Sequence, residues 1–468
     1  MINLLRYQKF YLIGIKGVGM TMLAQFLKEK GRQVSGVDVA DVFMTDQVLR
    51  REKINVRIDF NSSKLPKDAV IIYSSAYTAQ NNEELAYILN HPQEFKKFPV
   101  LNYAQAIGAL FSAHQGIAVC GSHGKTTTTA WLGFVLRRLG LSASVLVGAR
   151  VPQFKGSAIV GESEYFVAEA DEYQNKLQYF QPRGIILNNI DYDHPDYFKS
   201  KQSYAQVFID FVAKLKKKDF LVANLADPQI RKLLPTVKSR VFTYSLADRL
   251  SDNRQSVTLL GHSRRCADGW QYFQVNDFGE FKIRLLGRHN IENALAVLSG
   301  ALALGFKPEL LKKPLADFKG TARRAELMGN YKGIPVYDDY GHHPTEIKAT
   351  LRAFKEAYPN NRLVVIFHPH TFTRTKILFK DFVDSFADAD ILNILEIYGS
   401  AREKPGMISS RDLVRAVKTN YHKKTVVYAA DFNQVLAWLQ KNLKAGDVLL
   451  LLGAGDIFRV GEKLLKNK

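Results

Sequence analysis

Apolar runs of strand length recur along the chain, each leading into a loop and then a stretch with apolar residues at helical spacing. FYLIGI at 10–15 reads as a buried strand, followed by a glycine loop and a helix to about Lys30. QVSGVDV at 33–39 and AVIIYSSA at 69–76 read as two more strands of the same domain, which closes at a short link around 99–102. A second domain opens with GIAVCGS at 116–122 and continues through SASVLVG, YFVAEA, GIILNNI and DFLVANL. LGRHNIENALAVLSGALALG at 286–305 reads as a helix start with a strong apolar stripe, and Pro308 to about Lys319 as the exit. IPVYDDYG, RLVVIFHP, DILNILEIYG, KTVVYAA and DVLLLLGAG, separated by helical segments, form a third unit. Strands alternating with helices predict the α/β class with parallel sheets. The expected division is 1–104, 105–317 and 318–468, consistent with roughly 150 residues per domain.

Composition narrows the class. Hydrophobic residues make up 46% of 468 and charged residues 24%, enough apolar material for a full core and too much for a disordered chain. Cys120 and Cys266 match no metal or disulfide framework, which fits a reducing compartment. The first apolar run is broken at Lys16 and lacks a cleavage site, and no stretch reaches membrane-span length, so a cytoplasmic location with no membrane partner is expected. Net charge is +20, which would suit a polyanion. The basic residues are spread out, however, with only small clusters such as Lys216, Lys217 and Lys218, and no zinc-finger or RNA-binding signature accompanies them. No nucleic-acid partner is expected.

The strongest local signal is GSHGKTTTT at 121–129. A strand delivers Gly121, Ser122, His123 and Gly124 to a helix start, where free backbone N–H groups favour phosphate. Lys125 can reach terminal phosphates, Thr126 can ligate Mg²⁺, and Thr127 extends the cradle. Val119 stands where the general template has glycine, so the loop is a shortened GxxGKT variant for ATP. The earlier loop, with Gly14, Gly17 and Gly19, also joins a strand to a helix, and Asp38 ends the next strand where an acidic residue meets a ribose hydroxyl. Diphosphate binding is the functional reading of that loop, and a tight packing turn the structural one. Lys16 occupies a position where a dinucleotide fingerprint has glycine.

Carboxylates gather at two strand ends of the second domain: Glu169, Asp171 and Glu172, then Asp193 with His194. Ligands bind at such ends in open sheets, and beside a phosphate loop these groups suit Mg²⁺–ATP chemistry. His289, Asn290 and Asn293 sit at a helix start, where Asn side chains can read an adenine edge; helix capping is the alternative for Asn290. In the third unit Asp338, Asp339, His342 and His343 match no zinc spacing, while His368, His370 and Arg374 suit a carboxylate.

The succession GxxGxGM, GxHGKTTTT, EADE, NxxxDH, GxHNxxNA, DDYGHHPTE, PHxxxR and GAGD resembles the Mur ligases over essentially the whole chain. That resemblance implies a Rossmann-like UDP-binding domain, a central ATPase-type domain and a C-terminal Rossmann-like domain. It implies a reaction as well: ATP phosphorylates the lactyl carboxylate of UDP-N-acetylmuramic acid, and the amine of L-alanine attacks the acyl phosphate. The third-domain segments are most similar to the branch using L-alanine; the alternative is the branch attaching a recycled tripeptide to the same sugar nucleotide. Carried over by position, Lys125 matches the lysine at the β- and γ-phosphates, and Thr126, Glu169 and His194 match the metal ligands. His289, Asn290 and Asn293 match the adenosine stretch, and Gly17, Gly19 and Ser75 the UDP loops. Arg323, His343, His370 and Arg374 correspond to the acceptor and activated-carboxylate region. The chain departs from the pattern at Lys16, Ala325, Thr371 and Ser400–Ala401–Arg402. A monomer or a homodimer is compatible with the resemblance. A nucleotide-binding regulator or nucleic-acid-binding protein, which predicts salt-sensitive DNA binding without amino-acid-dependent ATP turnover, is one rival class; an NAD-dependent dehydrogenase is another, and the missing glycine at position 16 and the phosphate loop both argue against it.

Overall fold

A computed structural model describes residues 2–247, 258–399, 406 and 408–466; the Ser400–Ala401–Arg402 departure lies outside them. Three sheets follow one another along the chain. The first has five parallel strands in the order Asn55–Arg57, Gln33–Val37, Lys9–Ile13, Val70–Tyr73 and Val100–Asn102. The last of these corrects the sequence reading of 99–102 as a link. Its three residues pair with 71–73, and Asn102 also caps the helix Tyr103–Ser112 in a reciprocal box with Gln105. The chain therefore passes from strand to helix without a linker.

The central sheet has ten strands. Its parallel part begins with Leu259–Ala267 and Arg240–Leu246 and continues through a heart of Phe220–Asn224, Gly184–Leu187, Gln115–Cys120, Tyr165–Glu169 and Ser144–Val151. Antiparallel strands extend both edges: Gly156–Ile159 on one side, and Trp270–Val275 with Glu280–Ile283 on the other. Sequence periodicity did not predict these additions. They alternate buried and exposed positions because only one face is covered, whereas the heart is apolar on both.

The third sheet runs Glu326–Tyr331, Ile334–Asp339, Asp447–Leu452, Arg362–Phe367, Ile391–Leu395 and Thr425–Ala429. Asp447–Leu452 is buried throughout, between helices on both faces. The fold is thus three α/β domains in series, with one antiparallel edge strand, Glu326–Tyr331, on an otherwise parallel third sheet. Among the described residues no helix is long and apolar enough to cross a membrane. Cys120 is buried in its strand and Cys266 exposed, both as free thiols.

Candidate active site

The central strand Gln115–Cys120 is flanked by Gly184–Leu187 on one side and Tyr165–Glu169 on the other, so the crevice beyond its carboxyl end lies where strand order reverses. The loop at 121–124 fills that position and leads into the helix Lys125–Arg138. Gly124 holds φ +78, and a Cβ there would lie 2.5 Å from Asn293 Oδ1 and 2.9 Å from Asn188 Nδ2. Both the backbone angle and the space require glycine. Thr126, Thr127, Thr128 and Thr129 are all buried; Thr128 Oγ1 donates to Asn293 Oδ1 at 3.2 Å, tying this helix to Arg288–Ala303.

Lys125 Nζ donates to Gly121 O at 2.6 Å, Ser122 O at 3.1 Å and Glu172 Oε2 at 3.0 Å. Burial favours the neutral amine, but the charges of Glu172, Asp171 and Glu169 outweigh it and hold the pKa above the ordinary lysine value. Glu172 is fully buried; its other oxygen accepts from Tyr204 OH at 2.8 Å, and that hydroxyl lies 2.7 Å from Ser122 Oγ. Thr126 Oγ1 donates to Glu169 Oε1 at 2.8 Å, while Glu169 Oε2 accepts from Gly148 N–H at 2.7 Å. The predicted ligands thus divide into two groups. Thr126 meets Glu169, whereas His194, with φ +55, gathers with Asp171 and Glu172, their ligating atoms within 4.8 Å of one another.

The C-terminal domain closes over this loop. His123 Nε2 lies 3.0 Å from Asp191 Oδ2 and its Nδ1 3.4 Å from Glu346 Oε1. Burial opposes the imidazolium, but the two carboxylates prevail and lift its pKa to about 9. Asp191 also accepts from Thr345 Oγ1 at 2.7 Å, and Arg374 donates twice to Asp193. His343 caps the helix Pro344–Ala357 by accepting from Thr345 N–H at 3.3 Å; its Nε2 is buried without a hydrogen-bond partner. Burial, then the charge of His123, holds its pKa below the ordinary histidine value. His370 Nδ1 lies 3.5 Å from Arg374 Nη1, and its ring stacks on Tyr398. Arg323 is committed to Asp338 Oδ2 at 2.9 Å and to Gly453 O at 2.7 Å. Thr371 holds φ +68 and starts the helix Phe372–Ile377.

Two cavities meet at the phosphate loop. One, about 720 Å³, lies between the central and C-terminal domains and is lined by His289, Asn290, Asn293, Tyr244 and Arg288 among others. Burial presses the His289 pKa down to about 4, so the ring is neutral there. The other, about 1800 Å³, reaches all three domains: Val18, Ala76 and Met44 of the first, Lys125 and His194 of the second, His370 and Arg374 of the third. Gly124, Thr126, Tyr192, Arg324 and Glu346 line both.

In the first domain, the Gly14–Gly19 loop and exposed Ser75 stand at adjacent strand ends. Gly19 is approached so closely by Tyr103 that a Cβ would lie 2.8 Å from its hydroxyl. Asp38 is buried with both oxygens engaged, Oδ2 by Lys16 N–H at 2.7 Å and Oδ1 by Val39 N–H and Tyr77 OH, each at 2.9 Å. Sequence reasoning missed Asp191, Tyr204 and Glu346. The segments NNIDYDHPD and DDYGHHPTE contain two of them, but only the docking of two domains shows their use.

Three family models match in order: the Mur ligase family catalytic domain over residues 9–115, the Mur ligase middle domain over 119–301, and the Mur ligase glutamate ligase domain over 323–455. The chain is 35% identical to the UDP-N-acetylmuramate–L-alanine ligase of Caldanaerobacter subterraneus subsp. tengcongensis, covering 100% of this chain and 99% of that one. The enzyme of the same name from Aquifex aeolicus is also 35% identical, over 99% and 98% of the two chains. In fold it is similar to the UDP-N-acetylmuramate–alanine ligase of Thermotoga maritima, with a TM-score of 0.81 at 23% identity and 98% of each chain covered. A murein peptide ligase from Psychrobacter arcticus superposes with a TM-score of 0.72 at 22% identity, again over 98% of each chain. A phosphate loop walled between two cavities in a three-domain α/β chain defines a nucleotide-dependent ligase. The chain belongs to the Mur ligase family.

Proposed function

We propose that this ligase joins L-alanine to the lactyl carboxylate of UDP-N-acetylmuramic acid at the expense of ATP, in peptidoglycan precursor synthesis in the cytoplasm. The observation that carries the reading is the wall of residues common to both cavities, with Gly124 and Thr126 at its centre. A triphosphate entering from the smaller cavity would present its last phosphate to an acid entering from the larger. The full-length relatives at 35% identity carry the alanine ligase name, which favours alanine over the tripeptide.

In this reading the adenosine lies against His289, Asn290 and Asn293, and backbone N–H groups of 121–127 cradle the phosphates. Lys125 exchanges its loop carbonyls for the terminal phosphate oxygens. The oxygens of Thr126 and Glu169 fit Mg²⁺, a hard cation that takes oxygen ligands, and would hold one ion; the carboxylates of Asp171 and Glu172, with the His194 imidazole beside them, would hold a second. When bound, such ions offset the charge that builds on phosphoryl oxygens. UDP would occupy the loops of Gly14, Gly17, Gly19 and Ser75, with Asp38 shaping them through its backbone contacts.

Transfer of the terminal phosphoryl group to the substrate carboxylate gives an acyl phosphate and ADP. The amine of L-alanine then attacks the acyl carbon, losing a proton as phosphate leaves and the amide forms. Arg374, His370 and Arg323, which line the larger cavity, would recognise the alanine carboxylate and the acyl phosphate, whereas His343 lines neither cavity and serves as the cap of Pro344–Ala357. The protein's work is positioning and charge neutralisation in a closed space. Incubating the protein with ATP, Mg²⁺ and UDP-N-acetylmuramic acid, and with L-alanine or the tripeptide, tests the reading by mass spectrometry. A product heavier by one alanyl residue supports it; conversion of the tripeptide alone overturns it.

A further inference from the structure

Lys16 stands in the first glycine loop, yet its side chain is only 7% exposed and turns away from that loop. Nζ donates to Val39 O at 2.8 Å and Asp41 O at 2.9 Å, lies 3.7 Å from Asp46 Oδ1, and faces the Phe43 ring at 5.7 Å. Its backbone is stitched to the same segment. Lys16 N–H donates to Asp38 Oδ2 at 2.7 Å, and Lys16 O accepts from Thr45 Oγ1 at 2.5 Å. One residue thus holds the segment 38–46 from both main chain and side chain.

That segment turns most of its apolar side chains outward. Val42 is 74% exposed and Met44 53%, so it projects apolar side chains outward where a free loop would bury or replace them. Met44 and Thr45 line the larger cavity beside Val18 and Thr21 of the helix that starts at the glycine loop. Two hydrogens of the ammonium are taken by carbonyls and its charge faces Asp46 at 3.7 Å, so the group is directed into the segment and away from the glycine loop.

We infer that Lys16 is a positioning residue for the sugar nucleotide: it takes no phosphate itself, but pins segment 38–46 as a lip on the larger cavity, so that Met44 and Thr45 are preorganised against the bound UDP-sugar. The inference rests on the function proposed above. Preorganisation lowers the ordering cost of binding and leaves the chemical step untouched, so its loss is felt in KM for one substrate.

The test is steady-state kinetics of Lys16→Met and Met44→Ser, varying each substrate separately. Lys16→Met is expected to raise KM for UDP-N-acetylmuramic acid by roughly tenfold or more, the loss of charge-assisted bonds that hold the lip. KM for ATP and L-alanine, and kcat at saturation, stay within about twofold. Met44→Ser, a change at an exposed position, gives the same pattern more weakly and serves if Lys16→Met fails to fold. Amide hydrogen exchange over 38–46 rises in Lys16→Met alone. Unchanged KM in both variants, or a fall in kcat with KM unaltered, overturns the inference. Failure of the unaltered protein to turn over any of these substrates would instead sink the proposed function, since that is read before any variant is made.

Discussion

Arg374 of the C-terminal domain donates from Nε and Nη2 to the same oxygen of Asp193 in the central domain, at 3.1 and 3.0 Å, with both side chains buried. The other oxygen of Asp193 faces His194 Nε2 at 3.8 Å. Burial alone would raise the Asp193 pKa, but the charges of Arg374 and His194 hold it well below the usual carboxylate range. Docking of the third domain is thereby wired to the acidic cluster beside Lys125. Removing one partner of a buried pair strands the other charge. Arg374→Ala should therefore loosen the closed arrangement by about 3 kcal/mol, seen as a larger radius of gyration in solution scattering, with alanine-dependent turnover reduced at least a hundredfold. An unchanged radius would show that the pair does not hold the domains.

The Lys125–Glu172 pair separates stability from chemistry. Lys125→Met leaves the fully buried Glu172 without its cation and should cost about 3 kcal/mol in denaturant unfolding. Adding Glu172→Gln removes the stranded charge and should recover most of that loss. Phosphate release stays absent in both variants, because the cation aimed at the phosphates is gone. Recovery of turnover together with stability would contradict the role given to Lys125.

His123 makes domain closure sensitive to alkali. Its folded pKa, about 9, stands above the reference 6.5, so its contribution is complete below about 6.5 and is lost as pH rises through 9. Asp191 is held down at about 2 against burial by its bonds to His123 and Thr345, so its own contribution persists until strong acid. Thermal unfolding and scattering followed from pH 7 to 10 should show the central and C-terminal domains parting near pH 9. His123→Gln should remove that transition and leave the two domains as loosely held below pH 6 as they are in the unaltered protein above pH 9.

Gly124 offers a steric test. An alanine methyl would meet Asn293 Oδ1 and Asn188 Nδ2 while φ stays at +78, a strain of roughly 1–3 kcal/mol. Gly124→Ala should weaken ATP binding by about tenfold or more in calorimetry. Binding of the UDP-sugar, proposed at the loops of the first domain, should change much less.

Much of this site is legible in the sequence because it is local. GSHGKTTTT carries loop and helix start within nine residues, directly after the strand Gln115–Cys120, and the EADE and NxxxDH clusters follow strands that flank it. What escaped reading is contact between distant segments. Glu346 reaches His123, and Thr345 reaches Asp191 154 residues away, only because one domain docks on another. Lys16 shows the same limit at short range: the sequence marks it only as a departure from glycine in the first loop, and the fold turns its side chain onto Val39 and Asp41. Val100–Asn102 was missed as a strand because three residues carry too little periodicity to be seen.

If two cavities deliver a triphosphate and a sugar-linked acid to opposite sides of one glycine loop, consumption of the first depends on the second. Phosphate release from ATP, measured with UDP-N-acetylmuramic acid present and each standard amino acid added in turn, examines it most directly. Release should require both the sugar nucleotide and L-alanine, with one phosphate for each alanyl product. Release indifferent to the sugar nucleotide, or none with any amino acid, would contradict it.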